Sequence, residues 1–167
     1  SNLLRTRFQT TRVPAFSEAG LVDALDGIDP ARTDCVCVVA FDTPVVIAAV
    51  RRAKARGLKI VTLVSDIPTT ERNHYVGIDN LVAGKTAGRV MGLAHTRRAG
   101  CILPIIGANR AYDHTQRLHG FRALMQTHFP AVRLLAPVKS HDEPATIHSV
   151  LSDAWAAHPD LTGVYNI

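Results

Sequence analysis

Val36-Cys37-Val38-Val39-Ala40-Phe41 is an unbroken apolar run, too short for a typical globular helix and lacking the polar alternation of a half-buried strand. A strand covered on both faces has this character, and such strands belong to parallel sheets flanked by helices. Working outward, the same character recurs at Leu3 to Phe8, Cys35 to Phe41, Lys59 to Asp66, Cys101 to Ala108, Val132 to Lys139 and Thr162 to Ile167. Pro104 is the misfit, because it cannot donate to a ladder, so its strand is expected to bulge or to lie at an edge there.

Helical patterns with their own start and stop signals lie between these runs. Ser17 can cap a helix to Leu25 with Gly27 beyond it, and Pro44 sits in the first turn of one closed by Gly57. Asn80 can cap a helix to about Arg98, stopped by Gly100. Asp113 or Thr115 starts another, carrying Leu118, Phe121, Leu124 and Met125 and ended by Pro130. Glu143 and Pro144 open the last, with Ile147, Val150, Leu151, Ala154 and Trp155 facing inward. With a short strand at Tyr75 to Asp79, strands and helices alternate, which implies right-handed crossovers and an α/β fold of parallel sheets flanked by helices. The polar segment Ile67 to His74 marks a crossing between two lobes, giving residues 1–74 to the first and 75–167 to the second.

The chain of 167 residues is 47% apolar and carries 19 Lys+Arg against 14 Asp+Glu. Disorder is excluded, and a core of this size needs no disulfide or metal. Cys35, Cys37 and Cys101 show no CxxC or Cys/His cluster and read as reduced core residues. The formal charge of +5 is spread along the chain without a basic run longer than two residues, which disfavours direct nucleic-acid binding by this segment. No run of eighteen apolar residues and no signal-peptide core is present, so a soluble protein without membrane contact is expected. A start at Ser1-Asn2 and an end inside a strand-like run lead us to expect an excised piece of a larger protein.

The phosphate-loop, nucleotide-fold, serine-elbow and zinc-protease signatures are all missing, and the eight His residues are dispersed. No metal or cofactor is expected, and binding is favoured over catalysis; a small α/β enzyme using Asp113, His114 or Asp66 is the remote alternative. Gly84, Gly88 and Gly92 recur on one helix face, and three interior glycines disfavour a helix by about 1 kcal/mol each, so that face requires close backbone approach. Arg117 stands near a helix start and on its buried face, where the dipole disfavours a cation. It needs an oxygen-rich partner, either a ligand or a protein carboxylate. The loops at the carboxyl ends of the strands, where open α/β sheets bind ligands, supply Asp42, Asp66, Tyr112, Asp113 and Asp142. Carboxylates beside an arginine suit the paired hydroxyls of a sugar, although for each acid taken singly a helix cap is the favoured reading.

Lys59 to Asp66, then Tyr75-Val76-Gly77-Ile78-Asp79-Asn80 with Ala83, Gly84 and Ala87, resemble the first-lobe end and crossover of type I periplasmic-binding-protein-like domains. Arg117-Leu118-His119-Gly120-Phe121 resembles their arginine before a Gly-Phe pair, and Ala157 to Asp160 leading to Gly163-Val164-Tyr165 is similar to a later helix-to-strand step. Within that superfamily the chain looks most like the effector-binding core of a LacI-type transcriptional repressor. The resemblance implies two lobes closing on a small molecule, usually a sugar, with operator DNA bound through a helix-turn-helix outside this segment. It also implies a cytoplasmic setting and a homodimer, for which the helix Pro44 to Arg56 is a candidate surface. A sugar-binding protein of an ABC transporter is the alternative. Arg117 matches the family's ligand arginine, Asp66 lies only near its acidic position, which falls at Val64 or Ser65, and Asp142 replaces a frequent aromatic.

Overall fold

The computed structural model describes residues 7–14, 17–95, 100–107, 112–141 and 143–167. Its elements are α1 (Glu18–Asp26), β1 (Cys35–Val38), α2 (Pro44–Ala55), β2 (Lys59–Leu63), β3 (His74–Val76), α3 (Asn80–His95), β4 (Cys101–Ile106), α4 (Tyr112–His128), β5 (Arg133–Leu134), β6 (Val138–Lys139), α5 (Pro144–Ala157) and β7 (Leu161–Asn166). The expected α/β alternation is present. Most of the expected first strand lies outside the described residues, and Phe8 at its end is solvent-exposed and not in a strand.

The strands form two separate parallel sheets, β1-β2-β3 and a second in which β4 lies between β7 and the β5/β6 pair. Because β3 pairs with β2 through Val61↔His74, Thr62↔Tyr75 and Leu63↔Val76, Tyr75 and Val76 belong to the first sheet and not, as expected, to the second. Helices α1 and α2 cover one face of the first sheet, placing Leu21, Leu25, Val46, Ala49, Val50 and Ala53 against Val38 and Ile60. Cys35 and Cys37 point the other way and are exposed, contrary to the reading of them as core; Cys101 alone is buried. Period-two spacing placed both thiols on one face, but could not say which face the helices take.

The second sheet is covered on both sides, and β4 is buried along its whole length. Phe121 and Met125 of α4 pack on Ile102 with Ala87 and Met91 of α3 beside them, and Val150, Leu151 and Ala154 of α5 lie over Cys101, Leu103 and Ile105. Trp155 is 55% exposed, so it does not join that layer as expected.

Pro104 is central, not at an edge. Ile102 and Ile106 accept from Leu135 and Ser140 on one side, while Cys101 donates to Asp160 and Ile105 accepts from Ile167 on the other. By alternation, the missing N–H of Pro104 faces the β5/β6 side, and there the partner strand is interrupted between Leu134 and Val138. The irregularity expected in β4 is thus in its neighbour.

The cap of α3 is Asp79, whose Oδ1 accepts from the Val82 amide at 3.0 Å, and not Asn80. Ser17 does cap α1, accepting from Gly20 at 3.0 Å. Helix α2 is tied within the chain: Arg51 pairs with Glu71, Arg52 with Asp26, and Arg56 donates to the carbonyls of Leu25, Asp26 and Ile28.

Helices α3 and α4 cross at their glycines. A Cβ on Gly84 would overlap the Arg117 carbonyl, and one on Gly120 the Leu81 carbonyl. These are backbone atoms, which cannot swing aside. Gly84→Ala and Gly120→Ala should each therefore destabilise by about 2 kcal/mol despite alanine's better helix propensity. Urea denaturation checks this; unchanged or raised stability would show that the crossing is looser than described.

Candidate functional site

The crossover from β2 to α3 and the first turns of α4 come together around a cavity of about 140 Å³. Asp66, Tyr75, Asn80, Tyr112 and Gln116 are among the residues lining it. Each arrives there for a local reason. Asp66 follows β2, Tyr75 sits in the short β3, Asn80 opens α3, and Tyr112 and Gln116 share the start of α4.

Asn80 is the junction. Its side-chain carbonyl accepts from Arg117 Nε at 2.8 Å, and its Nδ2 lies 3.3 Å from both the Val64 carbonyl and the Tyr75 hydroxyl. The Tyr75 hydroxyl is in turn 2.9 Å from the carbonyl oxygens of Val64 and Ile78. A chain of polar contacts therefore runs from α4 through α3 to the carboxyl end of the first sheet. Arg117 is the sixth residue of α4, in its second turn, and its partner is a neutral amide, where the sequence suggested a ligand or a carboxylate. Its hydrogen-bond partner among the described residues is thus an amide and not a carboxylate. The guanidinium acts on two phenols: burial raises the Tyr75 hydroxyl, helped by the Asp66 charge, and burial raises Tyr165, with Arg117 pulling each back.

Asp66, by contrast, is already committed. Burial pushes its carboxyl up, but Arg72 and the Thr62 hydroxyl together outweigh this and hold it below its ordinary value. Arg72 grips it bidentately, Nε to Oδ1 at 2.6 Å and Nη2 to Oδ2 at 2.7 Å, and Thr62 Oγ1 donates at 2.6 Å. The guanidinium also lies 5.6 Å from the Tyr75 ring centroid, a favourable cation–π distance.

Asp113 is 6% exposed, and its Oδ1 is buried without a hydrogen-bond partner among the described residues. A carboxylate oxygen in that state is costly unless something donates to it. It occupies the position four before Arg117 on the same helix face. Asp42 is exposed at the end of β1, inside a tight turn closed by the Thr43 amide on the Phe41 carbonyl at 2.9 Å; it does not line the cavity. Asp142 lies outside the described residues. Tyr75, Asn80, Arg72 and Gln116 were not foreseen. From sequence Asn80 reads only as a helix cap, and the Asp66-to-Arg72 spacing in a polar loop is the one local signal. Among the described residues no group of three His, Cys, Asp or Glu could hold a metal, and no helix is long and apolar enough to cross a membrane.

Residues 16–167 match the family model described as a periplasmic binding protein domain. No curated protein matches the chain. Among solved structures, the chain is similar to an ABC transporter solute binding protein from Burkholderia graminis in complex with D-arabinose, at 25% identity and a TM-score of 0.83, over 90% of this chain and 51% of that one. It is also similar to one from Agrobacterium vitis bound with α-D-tagatopyranose (23%, TM-score 0.83, 92% and 54%). GanP, a glucose-galactose binding protein from Geobacillus stearothermophilus, matches at 23% and a TM-score of 0.79, over 87% and 51%. The chain spans about half the length of these proteins.

The Asp66–Arg72 pair makes a pH prediction. Because the folded-state pKa of Asp66 is depressed, its stabilisation is present above the unfolded value near 3.8 and is lost as pH falls through the lower folded value. Arg72→Ala should destabilise by about 1–3 kcal/mol at pH 7, between the values for exposed and buried pairs. Much of that difference should vanish as pH falls below the depressed folded value. Thermal melts of both proteins from pH 2.5 to 7 check it; a pH-independent difference would contradict the assignment.

Proposed function

Since the chain belongs to the periplasmic binding protein domain family, we propose that it forms part of a carbohydrate-binding protein in which two lobes close on a neutral sugar. The first lobe carries β1–β3 and the second runs from α3 to β7, so the crossover expected within 67–79 narrows to residues 77–79. The observation that carries this reading is the convergence of Arg117, Asn80, Tyr75 and Asp113 where the carboxyl end of the first sheet meets the start of α4. Hydroxyl pairs on a sugar need donors and acceptors side by side: Arg117 donates, and Asp113 Oδ1, which has no hydrogen-bond partner among the described residues, accepts. Asp66 is removed from direct recognition by Arg72 and acts as a brace for the crossover.

Delivery of a sugar to a transporter is favoured over control of transcription. The residues shared with LacI-type repressors serve both, but the solved relatives above are described as solute- or sugar-binding proteins. A transport role places the protein outside the cytoplasm and calls for binding without turnover. The operator DNA, the homodimer and the cytoplasmic setting belong to the repressor reading.

Calorimetric titration of the full-length protein with arabinose, tagatose, galactose and glucose tests the proposal. One sugar should bind and be recovered unchanged. Arg117→Ala should weaken it by roughly 30- to 1000-fold, the range for losing a charged hydrogen-bonding partner in a closed cleft, with little loss of melting temperature. Failure of every sugar to bind would reject it, and a dimer that leaves DNA when sugar is added would favour the repressor.

A further inference from the structure

Val64 has a φ of 61°, a conformation that a β-branched residue adopts only under constraint. The Ser65 amide donates across it to the Leu63 carbonyl at 2.6 Å, so residues 63–65 form a γ-turn of the rare positive-φ type. The turn carries a second penalty, since Ser65 Oγ is buried with no hydrogen-bond partner among the described residues. A turn burdened in this way persists only when its surroundings hold it.

What holds it is specific. The Val64 amide donates to the Val76 carbonyl at 3.0 Å, and the Val64 carbonyl accepts from Asn80 Nδ2 at 3.3 Å and from the Tyr75 hydroxyl at 2.9 Å, a proton it shares with the Ile78 carbonyl at the same distance. A side-chain amide has a donor end and an acceptor end. Arg117 Nε engages the acceptor end of Asn80 and so turns the donor end towards Val64. That donor end is held by the two longer contacts of 3.3 Å, to the Val64 carbonyl and the Tyr75 hydroxyl, so the 2.8 Å bond from Arg117 is the shortest that orients the amide.

We propose that the Val64 turn is a strained, two-state element clamped by Tyr75 and Asn80 and locked by Arg117, so that these three act as positioning residues for the first sheet's edge of the cleft. In its functional consequence this rests on the sugar-binding reading. A ligand that draws the Arg117 guanidinium away from Asn80 releases the turn, and one that leaves the contact in place keeps the exposed Val64 side chain where it stands. Occupancy on α4 is thereby reported at the end of β2, across the boundary between the sheets. Such coupling requires a differential interaction with the two states of one element, and in this proposal the Arg117–Asn80 bond, made in one state and lost in the other, supplies it.

Amide hydrogen exchange on the ligand-free, full-length protein tests this. Arg117→Ala should speed exchange of the Ser65 and Val64 amides by roughly tenfold, as expected for losing one bond from a local opening, while amides of α5 stay unchanged. Tyr75→Phe should act at the same two amides. In an Asn80→Ala background, Arg117→Ala should add nothing, because the link is already cut. Val64→Gly, which accepts the positive φ, should raise the melting temperature and abolish the sensitivity to Arg117. Unchanged exchange at Ser65 in Arg117→Ala, or additive effects in the double variant, would overturn the clamp. If no sugar binds but the exchange results hold, the sugar reading fails and the clamp stands; sugar binding with unchanged Ser65 exchange in Arg117→Ala gives the reverse.

Discussion

The crossing of α3 and α4 fixes the rest of the second half of the molecule. Gly84 and Gly120 bring each helix against a backbone carbonyl of the other, and Gly88 continues the contact against Phe121 and Leu124. Interior glycine is unfavourable in a helix, so the close approach must return more in packing than it loses in chain entropy. It returns position as well. With the axes this close, Arg117 on one helix reaches Asn80 at the head of the other, and Phe121 on the next turn is pressed against Ile102 and stacked on Tyr165 at 4.3 Å. Core packing and the polar junction are set by the same few small residues.

The charges around the crossover divide into two kinds. Asp66 and Arg72 neutralise one another and stiffen the loop between β2 and β3. Arg117 and Asp113 occupy one face of α4 but neither closes an ion pair with the other among the described residues. The separation is spatial: one pair belongs to the loop, while at the helix start Arg117 bonds to Asn80 and Asp113 Oδ2 lies 3.8 Å from His114 Nε2.

Elements with punctuated ends were readable from sequence. Ser17, Pro44 with Gly57, and Pro144 each marked a boundary through a backbone requirement, and the helices run where those requirements put them. Features fixed by long-range geometry were not readable. The partner of Arg117 lies 37 residues away, and nothing in its own helix distinguishes an amide partner from a carboxylate. Cys35 and Cys37 sit in an apolar run, yet the first sheet has described helices on one face only, so the run's character could not tell covered from uncovered. Val64 is the clearest case: valine is among the residues least suited to positive φ, and it is held there by the Val76 carbonyl, the Tyr75 hydroxyl and the Asn80 amide, none of them adjacent in sequence.

The break in the strand beside Pro104 also governs how the chain can misassemble. From Ile102 to Ile105 the central strand advances three residues while its partner advances four, from Leu134 to Val138. The extra residue changes side-chain parity, sending Leu134 to the α3/α4 layer and Val138 to the α5 layer. A slipped pairing would set a partner carbonyl against the pyrrolidine ring and put apolar side chains on the wrong layer together. One proline thus favours a single register, since out-of-step pairings that an uninterrupted run of Ile and Leu would tolerate carry both penalties here.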